Sequence, residues 1–194
     1  MKTAIFGGSF DPVHVGHLIA AAEVLFRTEY ERVLFVPALN SPFRGRRPFA
    51  SGTDRVRMLE LAMCGSPGFA VSRHELQSER VSYTVDTVRS LIASGEVQER
   101  PGLVIGDDLV EGFDRWKEAS LLRELVEVVV VSRDAAESPG FRVLENTPIP
   151  VSSSEIRRRF SIGAPVRFLV PDAVLQYIED NRLYRPVTGD GDVG

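Results

Sequence analysis

Lys2-Thr3-Ala4-Ile5-Phe6-Gly7-Gly8-Ser9-Phe10-Asp11-Pro12-Val13-His14-Val15-Gly16-His17 joins a short apolar run to a helical pattern through a glycine-rich link. Lys2 to Phe6 reads as a strand that Gly7-Gly8 ends in a tight turn, and apolar residues recur at helical spacing from Val15 to Phe26. Strand, turn, helix is the opening unit of a doubly wound sheet. In that architecture the loop after the first strand lies at the carboxyl edge, where ligands bind, and the helix start offers N–H groups and positive dipole character.

The same grammar repeats downstream. Val33 to Val36 is a β-branched run stopped by Pro37; Asp54 to Met63 has helical spacing; Phe69 to Val71 is extended; Tyr83 to Ala93 is amphipathic. Leu103 to Ile105 and Val126 to Val131, with its four consecutive valines, read as buried strands. Two helices close the chain, one opening at Ser152-Ser153-Ser154 and one after Pro171, with Asp172 as cap and Ala173 to Ile178 as apolar face. Short continuous apolar strands alternating with helices predict a single α/β domain, residues 1–185, with a Rossmann-like doubly wound parallel sheet covered by helices on both faces. The polar, Gly/Asp-rich residues 186–194 read as a disordered tail, and Asn40 to Gly52, with three arginines and no periodicity, as a binding loop.

Composition narrows the function. A net charge of −4 gives no field to attract a nucleic acid, and no apolar run nears the roughly 18 residues of a membrane span. One cysteine, Cys64, excludes an internal disulfide, and the N-terminus turns polar too early for a signal peptide, so a cytoplasmic setting is expected. Neither a Gly-x-Gly-x-x-Gly fingerprint nor a Gly-Lys-Ser/Thr P-loop occurs, which disfavours dehydrogenases and P-loop kinases.

His14 and His17, three residues apart at a helix start, fall on one face and can reach one anion, with Gly16 leaving space between them. Zinc is the lesser reading, since the chain holds only three histidines and one cysteine. Ser152, Ser153 and Arg157 can bind phosphate oxygens from a helix N-terminus, although a plain N-cap with surface arginines fits the same letters. Gly106 and Asp108 follow a strand; Asp108 reads either as a ligand-binding carboxylate or as a helix cap. Trp116 reads either as core or as a stacking platform.

Gly8-Ser9-Phe10-Asp11-Pro12-Val13-His14-Val15-Gly16-His17-Leu18 resembles the signature of the nucleotidylyltransferase superfamily. The wider chain is similar to the bacterial nicotinate-nucleotide adenylyltransferases, through Val36-Pro37-Ala38, Ser82-Tyr83-Thr84-Val85-Asp86-Thr87, Ile105-Gly106-Asp107-Asp108-Leu109, Arg115-Trp116 and Ser152-Ser153-Ser154-Glu155-Ile156-Arg157. That resemblance implies transfer of AMP from ATP to nicotinate mononucleotide in NAD biosynthesis. It implies His14, His17 and Arg157 as catalytic groups, and Gly7, Gly8, Ser9, Phe10, Gly106, Asp108, Ser152 and Ser153 around ATP. Arg44, Thr84, Trp116 and Arg133 are implied around the mononucleotide, Trp116 by stacking on the pyridine ring. The implied partners are ATP and nicotinate mononucleotide, with magnesium carried by ATP and no protein-bound metal or organic prosthetic group. Homo-oligomerisation stays open. The chain departs from the family at Ser41-Pro42-Phe43-Arg44, where relatives carry Pro-Pro-His-Lys, and at Asp134-Ala135 after Arg133. Other acceptors, phosphopantetheine or nicotinamide mononucleotide, and a nucleotide-binding module without turnover are the rival readings.

Overall fold

The computed structural model describes residues 1–39, 48–77, 83–132, 139–145 and 149–185. Its strands are β1 (Thr3–Gly8), β2 (Arg32–Pro37), β3 (Phe69–Val71), β4 (Gly102–Gly106), β5 (Glu127–Ser132) and β6 (Arg142–Glu145). Its helices are α1 (Val15–Arg27), α2 (Gly52–Ala62), α3 (Thr84–Ala93), α4 (Ala119–Leu125), α5 (Ser153–Ser161) and α6 (Asp172–Asp180). All pairings are parallel, in the order β3-β2-β1-β4-β5-β6. The order reverses between β1 and β4, which opens a crevice at their carboxyl ends.

Neighbouring residues on each strand serve two different cores. Ala4, Val33, Phe35, Val104, Val129 and Val131 join side chains of α1, α2, α5 and α6, such as Val24, Leu59, Ile156 and Val174. Ile5, Leu34, Val36, Leu103, Ile105, Val128 and Val130 join Val88 and Leu91 of α3 and Leu122 of α4. Burial on both faces, at about 1.5–3 kcal/mol for each large aliphatic side chain, explains why these strands are continuously apolar.

Three features depart from expectation. Gly7 and Gly8 do not end β1; they complete it, paired with Val36 and Pro37, because the parallel ladder to β2 continues past the last apolar side chain. β6 was hidden because an edge strand reading Arg-Val-Leu-Glu has only two apolar residues, and α4 because seven residues are too few to show a period. Asp172 is not the cap of α6 but lies in its first turn, after Pro171. Of the expected loop Asn40 to Gly52, residues 40–47 lie outside the described residues. Residues 48–51 lead into α2, whose Ser51 cap accepts from the Asp54 N–H while Asp54 accepts from the Ser51 N–H. Residues 186–194 also lie outside them.

Candidate active site

A cleft of about 350 Å³ sits at the switch point. The ends of β1 (Gly7, Gly8), β4 (Ile105, Gly106) and β5 (Val131) form its floor, and the starts of α1 (His14, His17) and α5 (Ser152, Ser153, Ser154) form its sides. Ten residues assigned to ATP from the sequence, namely Gly7, Gly8, Ser9, Phe10, His14, His17, Gly106, Asp108, Ser152 and Ser153, share this lining. Arg157 does not line it.

The glycines act differently from one another. A Cβ on Gly7 would meet nothing within 4 Å, so this residue presents bare backbone to the cleft. One on Gly8 would meet the Phe10 ring at 2.9 Å; that ring is buried and packs edge-on against Phe6, His17 and Phe35. A Cβ on Gly106 would stand 2.5 Å from an Asp108 carboxylate oxygen. Asp108 therefore lies over the end of β4, and the turn Asp107–Leu109 has Gly106 at its cap with no side-chain cap bond, so the cap reading fails. Gly16 does not leave open space: a Cβ there would come within 3.0 Å of Val151 and 3.1 Å of His14 Nδ1, so its small size lets α1 pack closely.

His14 and His17 stack with ring centroids 3.6 Å apart. The His14 backbone N–H donates to His17 Nδ1 at 3.2 Å, which leaves the proton of a neutral His17 ring on Nε2. His14 is buried, its Nδ1 has no hydrogen-bond partner among the described residues, and burial pushes its pKa down to about 4. At neutral pH the buried His14 ring is therefore a neutral N–H donor and not an imidazolium. The helix start is also less open than expected, since the Val15 N–H donates to Leu169 O and the His17 N–H to His14 O.

A pH dependence of stability follows from His14. Unfolded His14 takes up a proton near pH 6.5 and the folded ring only near pH 4, so its contribution is complete above 6.5 and is lost as pH falls between those values. The loss is on the order of 3 kcal/mol. Urea unfolding at several pH values should show a steeper acid loss for wild type than for His14→Gln; equal slopes would refute this account.

Beneath the cleft, Asp11 forms a buried hub that the sequence reading missed. Its carboxylate accepts from the Phe49 N–H (2.7 Å), the Ala50 N–H (3.0 Å) and the Tyr184 hydroxyl (2.8 Å). Arg157 donates to the Asp11 carbonyl at 2.6 Å and to Ser154 Oγ at 3.1 Å, and its guanidinium lies over the Phe49 ring. Arg157 thus grips the loop from behind the cleft. Arg55, 1% exposed, donates to the Ser9 and Ala38 carbonyls and joins the ends of β1 and β2. An arginine inside the apolar pattern of α2 was the available signal for this role. Ser152 caps α5 by accepting from the Glu155 N–H, and Ser153 donates to the Pro12 carbonyl.

Thr84 and Trp116 are not in the cleft lining. Thr84 opens α3, and Trp116 ends the short turn Phe113–Arg115 that follows β4, stacked on Phe113 at 5.0 Å. Lys117 ties these segments together, with its ammonium 2.8 Å from Asp86 and over the Tyr83 ring. Arg44 and Arg133 lie outside the described residues. Among the described residues, no three His, Cys, Asp or Glu side chains gather as a metal site, and no helix is long and apolar enough to cross a membrane.

The cytidylyltransferase-like family model matches residues 5–159. A protein of Geobacillus kaustophilus named as a probable nicotinate-nucleotide adenylyltransferase is 41% identical over 97% of this chain and 88% of its own length. One of the same name from Borreliella burgdorferi is 37% identical over 95% and 97%. The Plasmodium falciparum nicotinic acid mononucleotide adenylyltransferase complexed with NaAD has a similar fold, with a TM-score of 0.78 at 16% identity over 95% of this chain and 98% of that one. The same enzyme complexed with APC gives 0.77 at 17% identity over 94% and 96%. With its switch-point cleft and its likeness to these relatives over nearly their whole length, the chain belongs to the cytidylyltransferase-like family, among the nicotinate-nucleotide adenylyltransferases.

Proposed function

We propose that the chain transfers AMP from ATP to nicotinate mononucleotide, giving nicotinate adenine dinucleotide and pyrophosphate in NAD biosynthesis. The stacked His14 and His17 pair at the mouth of a glycine-floored switch-point cleft carries this reading. A phosphate oxygen of the mononucleotide attacks the α-phosphorus; the new P–O bond forms as the bond to the β-phosphate oxygen breaks, and pyrophosphate leaves with the electron pair. A phosphate monoester is already anionic, so alignment and charge stabilisation suffice. His14 and His17 hold triphosphate oxygens by N–H donation, bare backbone at Gly7 lets phosphate approach, and Ser152 and Ser153 border the same space. Arg157 acts by holding the Asp11 loop in place.

Magnesium arrives bound to ATP and neutralises charge on the triphosphate. The imidazole, hydroxyl and backbone donors of the cleft suit phosphate oxygens and would leave a magnesium ion to be held by the nucleotide. Gly106 and Asp108 receive the adenosine, Thr84 and Trp116 frame the pyridine ring, and Arg44 and Arg133 hold the mononucleotide phosphate. The setting is cytoplasmic, with neither nucleic acid nor membrane as partner, and the subunits are free to assemble as homo-oligomers.

The test is pyrophosphate release with ATP, magnesium and, separately, nicotinate mononucleotide, nicotinamide mononucleotide and phosphopantetheine. The nicotinate compound should give the highest kcat/KM. Preference for another acceptor would reassign the region of Thr84 and Trp116, and silence with all three would favour a binding module.

A further inference from the structure

Trp116 follows a short turn whose Phe113 ring is buried in the core beside α3 and α4. The turn Phe113–Arg115 is only three residues long, follows β4 by a short link and leads directly into the ligand platform proposed above. Within it, the Trp116 N–H donates to the Phe113 carbonyl at 3.0 Å, and the indole stacks on the Phe113 ring with an interplanar angle of 28°. The Phe113 ring is thus one face against which the indole of Trp116 is held.

Arg123, on α4, grips this turn twice. Its guanidinium lies over the Phe113 ring, 4.7 Å from the centroid, and donates from Nη2 to Asp114 Oδ1 at 2.9 Å. It also lies over Phe141, 4.6 Å from that centroid, and Phe141 meets Phe113 edge-on at 5.5 Å. One cation thus joins α4, the turn and the segment leading into β6. Phe113 is fully buried while two-thirds of the Arg123 side chain is withdrawn from water, a setting in which a cation over an aromatic ring is worth more than at an open surface. Lys117 secures the other side through Asp86 and Tyr83.

We infer that Arg123 is a positioning residue for mononucleotide binding: its hold on Phe113 and Asp114 fixes the plane of Trp116. This inference rests on the reading of Trp116 as the pyridine platform. Arg123 itself touches no substrate. Its loss should weaken binding of the pyridine nucleotide and leave ATP, assigned above to a cleft that neither Trp116 nor Arg123 lines, unaffected.

Trp116 is the only tryptophan in the chain, so intrinsic fluorescence reports this one position. In Arg123→Met, which keeps an apolar stem without the charge, acrylamide quenching of Trp116 should rise. KM for nicotinate mononucleotide should rise about tenfold, with KM for ATP and kcat within about twofold. Arg123→Lys should restore part of both effects, because it returns the cation without the planar fork. Circular dichroism melting of both variants separates this from general loosening, and an equal rise in both KM values together with a lowered Tm overturns the proposal. Unchanged quenching and KM in Arg123→Met, against wild-type emission that responds to nicotinate mononucleotide, overturn the positioning role alone. If wild-type emission does not respond, the pyridine does not lie on Trp116 and the role falls with it.

Discussion

Replacing His17 with alanine is expected to lower kcat by on the order of a hundredfold or more, with the fold retained. The His17 ring is fixed on several sides: Nδ1 accepts from the His14 N–H, His14 stacks against it, and Phe10 and Phe6 meet it edge-on at 5.0 and 6.1 Å. A donor held so firmly spends no free energy on reorganisation as charge builds on the triphosphate, and this is what makes a preorganised contact effective. The structural cost is smaller, about 1 kcal/mol for the lost hydrogen bond to His14. The decisive comparison is steady-state kcat beside urea unfolding on the same preparation. Near-normal kcat, or a loss of activity that tracks unfolding, would count against the role.

The second large effect is on stability. Asp11→Asn should cost about 3–5 kcal/mol, since a carboxamide offers one acceptor oxygen where two carboxylate oxygens receive three donors. The substitution also places an N–H₂ group against donors and removes the negative charge nearest Arg157 and Arg55. Tyr184→Phe, which deletes a single hydrogen bond to the same carboxylate, should cost only about 1 kcal/mol. Urea unfolding of both variants measures the difference. A loss below about 1 kcal/mol in Asp11→Asn would mean that the hub does not organise the loop.

The parts legible in the sequence were those that local pattern encodes. Two-sided burial leaves continuous apolar runs, so β2, β4 and β5 could be read directly, and the glycine-histidine stretch marked the crevice before any tertiary contact was known. β6 could not be read, because it is held by pairing with β5 and not by its own composition. The protonation state of His14 was likewise illegible: it depends on burial, a property of the assembled neighbours. Asp11 stood in plain view within the motif, yet its partners come from positions 49, 50, 157 and 184, and no spacing rule links those. Trp116 posed the same problem: its stack on Phe113 was accessible to a local reading, but the Arg123 contact behind it was not.

The bond from Tyr184 to Asp11 spans 173 positions. A ribosome delivers residues one by one, so Asp11 leaves it long before Tyr184 and waits for that partner. Until then, the Asp11 carboxylate is short of one donor. Nascent chains should therefore acquire β1, β2 and β4 early and nucleotide affinity late. Synthesis stalled after residue 145 and short of residue 184 would yield a paired six-stranded sheet whose crevice is not yet set.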